Sequence, residues 1–67
     1  MKITLNNRNE NFDCETLTVS QLLEIKNFTF KMIVIKINGN LIKKGTYETA
    51  VIKNNDNVNV IHLISGG

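Results

Sequence analysis

Ile33-Val34-Ile35-Lys36-Ile37 runs into Asn38-Gly39 and out again through Leu41-Ile42. β-Branched side chains suit a pleated, half-buried surface, so the first segment reads as a strand. Asn-Gly is the preferred pair for a two-residue turn whose central residues need positive φ, which folds the second segment back as an antiparallel hairpin. Alternation then puts Ile33, Ile35 and Ile37 on one apolar face that must be covered. A chain of 67 residues has room for one core to do so, and a core of that size supplies roughly 3–5 kcal/mol of net stability. No intramolecular disulfide adds to it, because Cys14 is the single cysteine; it reads as a free thiol in a reducing compartment.

The remaining segments supply the cover. Residues 2–6 alternate apolar and polar, placing Ile3 and Leu5 inward on a first strand. Asn6-Asn7-Arg8-Asn9 is turn-rich, and a weaker strand over about 11–15 would complete a first hairpin. Thr18-Val19-Ser20-Gln21 has the spacing of a capping box ahead of a helix over about 19–26, with Val19, Leu22 and Leu23 on one face and Ile25 at its margin. Thr46 is placed to cap a short helical turn through Ala50, with Tyr47 packing it onto the body of the fold. Asp56 stabilises a turn at 54–57, and a last strand follows over 58–64 with Val58 and Val60 inward. Hairpin, helix, short hairpin and last strand predict an α+β roll, one main helix across one mixed sheet of four to five strands.

Charge and composition exclude several functions. The net charge is +2, and the eight basic residues are scattered apart from Lys43-Lys44, with few aromatics to stack on bases; nucleic acid is not an expected partner. Apolar runs are too short to cross a bilayer, and the start lacks the apolar core of a signal peptide, so a cytoplasmic protein is expected. His62 has no companion ligand nearby in sequence, so no metal is expected, and it reads as a packed or rim residue. Asp13 and Glu15 disfavour a thiolate at Cys14. No nucleophile–base set or phosphate-cradling loop marks an enzyme. Lys43 and Lys44 read as solvated, and the many asparagines read as compositional drift without functional weight.

The sequence closes on Ser65-Gly66-Gly67 directly behind the apolar run 60–64. Chain ends usually trail off in polar residues. Two glycines, lacking Cβ atoms, pass through a narrow site where an enzyme can reach a terminal carboxylate; the bland alternative is a frayed glycine end. Ile61 and Leu63 have the opposite parity to Val58 and Val60 and point outward on a regular strand. With Ile64 they form a candidate partner-docking patch, unless a bulge tucks one of them into the core.

Taken together, Ile35-Lys36-Ile37-Asn38-Gly39, Tyr47, Asp56-Asn57-Val58 and Ser65-Gly66-Gly67 resemble the ThiS family of sulfur carriers in thiamine biosynthesis. Thr18-Val19-Ser20-Gln21-Leu22-Leu23 is similar to that family's helix start. Asn55 stands where the family often has Gly before the Asp, and Lys43-Lys44 where a proline is common. The resemblance implies a ubiquitin-like β-grasp roll with the first and last strands paired centrally, one domain over 1–67, and a flexible tail over about 64–67. It also implies that the Gly67 carboxylate is adenylated with ATP by a ubiquitin-activating-enzyme-like (ThiF-type) adenylyltransferase. Sulfur from a persulfide donor then displaces AMP, and the resulting thiocarboxylate serves a thiazole synthase (ThiG-type); the carrier itself binds no cofactor. Within the class, a MoaD-like subunit of molybdopterin synthase and a lysine-conjugated modifier stay open. Outside it stands a non-covalent β-grasp interaction module.

Overall fold

Ile37 pairs with Asn40 across the Asn38-Gly39 turn, and the two turn residues have φ of 52° and 83°. The computed structural model that shows this describes residues 1–29 and 32–63. Its strands are β1 (Lys2–Leu5), β2 (Arg8–Asn11), β3 (Thr16–Thr18), β4 (Ile33–Ile37), β5 (Asn40–Ile42), β6 (Val51–Lys53) and β7 (Asn57–His62). Helix α1 (Val19–Ile25) follows β3, and a 3-10 turn covers Lys44–Thr46. Five strands form one sheet in the order β2-β1-β7-β4-β5, while β3 and β6 form a separate two-stranded sheet. Strands β1 and β7 run parallel and every other pairing is antiparallel. The last strand thus lies in the middle of the sheet, beside the first, which is the β-grasp arrangement the resemblance implied.

The core forms where alternating strand residues meet the helix. Ile3 and Leu5 of β1, Ile35 and Ile37 of β4, and Val58 and Val60 of β7 are buried with Val19 and Leu22 of α1. Leu17 and Ile52, facing one another across the β3–β6 pair, close the same cluster. The capping box starts the helix as its spacing predicts: the Gln21 backbone N–H donates to Thr18 Oγ1 at 3.1 Å, and the Thr18 N–H donates to Gln21 Oε1 at 2.9 Å. Ile25 is exposed, beyond the margin of the apolar face.

Three expectations need correction. The second strand lies at Arg8–Asn11, not 11–15, because Asn6 and Asn7 both adopt positive φ (51° and 66°) and return the chain at once, pairing Leu5 with Arg8. Strands β3 and β6 were not expected at all. The helical turn starts earlier than expected, at Lys44–Thr46, and runs on to Ala50 as expected, the Ala50 N–H donating to the Thr46 carbonyl at 2.8 Å. Thr46 Oγ1 donates to the Lys43 carbonyl instead of capping that turn, and Tyr47 is half-buried against the core.

Asparagine is not incidental to this fold. Every non-glycine residue with positive φ among the described residues is an asparagine: Asn6, Asn7, Asn27, Asn38 and Asn55. The left-handed conformation costs most L-residues about 1–2 kcal/mol, and asparagine reduces that cost by bonding locally. Two of these side chains also extend ladders. Asn6 Oδ1 accepts from the Val60 N–H at 2.8 Å, prolonging the contact between β1 and β7. Asn38 Oδ1 accepts from the Asn57 N–H at 2.8 Å, while the Asn38 N–H donates to the Asn57 carbonyl at 2.7 Å. Asn38 Nδ2 donates to Asp56 Oδ1 at 2.9 Å, and the Lys53 N–H donates to Asp56 Oδ2 at 2.9 Å. Asp56 does bond its local backbone, and it also ties the β4–β5 turn to the β6–β7 turn.

Candidate functional site: the outer face and the end of β7

The sheet covers its inner face with α1 and leaves the outer face open. The register places Val34 of β4 directly beside Ile61 of β7 on that outer face, and Lys36 between Leu41 of β5 and Asn59 of β7. Ile61 and Leu63 are each 43% exposed and Leu41 is 64% exposed, while Val34 is half-buried. Alternation along β7 therefore holds to its end, with no bulge tucking Ile61 or Leu63 inward. The Leu63 N–H donates to the Met32 carbonyl at 2.9 Å, carrying the β7–β4 ladder one residue past the strand. Exposed Met32 thus joins Leu63 at the margin of the patch.

Together Val34, Ile61, Leu63 and Met32 form an apolar area at the C-terminal end of β7, with exposed Leu41 further off across β4, beyond Lys36. Single exposed apolar residues are ordinary on a protein surface; several adjoining ones mark an interaction surface. Its charged neighbour on the sheet is Lys36: the outward positions of the five strands carry no carboxylate, and Lys2, the other outward lysine, lies toward the opposite end, near the start of β7. Met32, Ile33, Leu63 and Lys44 line a shallow depression of about 210 Å³ beside the strand end. Sequence reasoning finds Ile61 and Leu63 through their parity. It misses Val34, whose place beside Ile61 depends on strand register.

His62, expected to be packed or at the rim, is exposed: it shares the parity of Val60, but the strand has by then run past the densest part of the core. Cys14 is a half-buried free thiol packed against the core. Ile64, Ser65, Gly66 and Gly67 lie outside the described residues. On the helix side, Arg8, Glu10, Lys26 and Phe28 surround a groove of about 470 Å³ in which Lys26 Nζ and Glu10 Oε2 pair at 3.1 Å. Among the described residues no group of three or more His, Cys, Asp or Glu side chains is gathered to hold a metal ion. No described helix is long and apolar enough to cross a membrane.

A five-stranded mixed sheet, one capped helix and an apolar outer face leading to the chain's last residues define a ubiquitin-like β-grasp protein. The model of the ThiS family matches residues 2–67, and the chain belongs to that family. Among solved structures, the crystal structure of the thiamine biosynthesis protein ThiS from Geobacter metallireducens superposes with a TM-score of 0.89 at 23% identity, each chain fully covered. The solution structure of a thiamine biosynthesis protein from the same organism gives a TM-score of 0.79 at 23% identity, over all of this chain and 88% of the other. In sequence, a thiazole synthase of Magnetococcus marinus is 33% identical over 67 residues, all of this chain and 20% of that protein. An uncharacterized protein, ycf40, of Trieres chinensis is 26% identical over 61 residues, 91% of this chain and 84% of the other. This chain therefore spans a fifth of the length of the thiazole synthase it matches.

Proposed function

We propose that this chain carries sulfur on the Gly67 carboxylate to the formation of a thiazole ring. The observation that carries the reading is the apolar outer face at the end of β7, immediately ahead of Ser65-Gly66-Gly67 in a chain of the ThiS family. A carboxylate is anionic and a poor electrophile. A ThiF-type adenylyltransferase using ATP would convert it to an acyl-adenylate, with pyrophosphate leaving. Attack by persulfide sulfur then expels AMP, and reductive cleavage of the S–S bond by a thiol leaves the thiocarboxylate. The carrier contributes delivery: four residues beyond Leu63 span at most roughly 13–14 Å when extended, enough to enter a recessed site.

Ile61 and Leu63, with Val34 beside Ile61, and Ile64 next in the chain are the residues on which the adenylyltransferase and the synthase would dock in turn. Lys36, two residues along β4 from Val34, favours a partner whose rim is acidic. The likeness to one fifth of a thiazole synthase supports that enzyme as the sulfur acceptor over a molybdopterin synthase subunit. Intact-mass spectrometry after incubation with ATP, a cognate adenylyltransferase and a sulfur source tests the reading. The expected product is heavier by the difference between sulfur and oxygen. An unchanged mass with active partner enzymes would refute it and favour a non-covalent interaction module.

A further inference from the structure

Asn38-Gly39 is the sole Asn-Gly pair in the sequence, and that pair has chemistry of its own. In an unconstrained chain the Gly39 amide nitrogen attacks the Asn38 side-chain carbonyl carbon, an approach that glycine, lacking a Cβ, hinders least. A new N–C bond closes a five-membered succinimide. The bond from that carbon to the side-chain nitrogen breaks, and the nitrogen leaves as ammonia with the proton from Gly39. Water then opens the ring at either carbonyl, giving aspartate or isoaspartate.

Three bonds restrain this reaction in the folded chain. Asn38 is exposed, so water has access to it, but its backbone is fixed at φ 52°. Its Nδ2 donates to Asp56 Oδ1, its Oδ1 accepts from the Asn57 N–H, and its own N–H donates to the Asn57 carbonyl. The first two aim the carboxamide at the neighbouring turn instead of back over the Gly39 nitrogen. We propose that Asn38 is a spontaneous deamidation site held off by this network, and that its conversion disables the turn that protected it. An aspartate there replaces the donor facing Asp56 Oδ1 at 2.9 Å with an oxygen, setting two carboxylates against each other. Isoaspartate lengthens the backbone inside a two-residue turn, which the Ile37–Asn40 pairing has no slack to absorb. The other left-handed asparagines precede Asn7, Arg8, Phe28 and Asp56, whose Cβ atoms obstruct the attack.

Peptide mapping by mass spectrometry, during incubation at mildly alkaline pH, tests both halves. Asn38 in the folded chain is expected to deamidate at least roughly ten-fold more slowly than in a free peptide of residues 36–41, because the turn must first open. Asp56→Ala, removing the acceptor, should raise the rate at Asn38; if circular dichroism shows it unfolded, Asp56→Ser, whose shorter side chain no longer reaches Asn38 Nδ2, takes its place. Asn38→Asp should melt below both wild type and Asn38→Gly. Equal rates in folded chain and peptide would overturn the protection. An Asn38→Asp variant as stable as wild type would overturn the loss of the turn.

Discussion

Replacing Ile61 with aspartate separates a docking role from a structural one. Ile61 leaves 43% of its surface exposed, so a partner can still cover roughly 80 Å², worth about 2 kcal/mol at ~25 cal/mol per Å². An aspartate forfeits that gain and adds the cost of removing a carboxylate from water. The adenylyltransferase should therefore bind the variant at least about 30-fold more weakly, measured by isothermal titration. The folded chain loses the packing of the covered part of the side chain, roughly 100 Å² beside Val34, of which the aspartate Cβ retains a share. That loss is about 2 kcal/mol, a fall in melting temperature of roughly 8–16 °C by circular dichroism, which leaves the chain folded. Asn59→Asp introduces the same charge two residues earlier on the same face and should change affinity far less. Unaltered affinity in Ile61→Asp would refute the docking reading; outright unfolding would show that Ile61 belongs to the core.

Three further outcomes are expected. Deleting Gly67, or adding a residue after it, should abolish ATP–pyrophosphate exchange by the adenylyltransferase while leaving the thermal melt unchanged. Thr18→Ala removes the acceptor for the Gln21 N–H and should cost about 1 kcal/mol in urea unfolding. Asn6→Ala loses the bond to the Val60 N–H and leaves alanine at positive φ, costing about 2 kcal/mol by the same measure, whereas Asn6→Gly should be milder because it relieves the backbone alone.

Features encoded within a few residues were legible before the fold was seen. The Asn38-Gly39 hairpin, the Thr18–Gln21 capping box and the parity of Ile61 and Leu63 each follow from neighbours in sequence. The β3–β6 pair was not legible: Leu17 lies between threonines and Ile52 beside Lys53, so each segment offers too short an apolar pattern, and their pairing depends on distant segments meeting. The first hairpin was misplaced for a different reason. Four turn-prone residues in a row hide that two asparagines suffice, and only backbone angles decide which two. Val34 lies outside the expected docking patch because cross-strand register, not spacing along the chain, brings it to Ile61.

The central place of β7 bears on how the protein is made. A nascent chain halted before Asn57 holds the β1–β2 and β4–β5 hairpins with an empty lane between them, since both β1 and β4 bond to β7. Non-local pairing of this kind is slow and waits for its last partner. The strand next to the glycines is therefore also the one that completes the sheet, and a chain cut short before it would lack both the surface around Ile61 and the glycine end on which the proposed sulfur transfer depends.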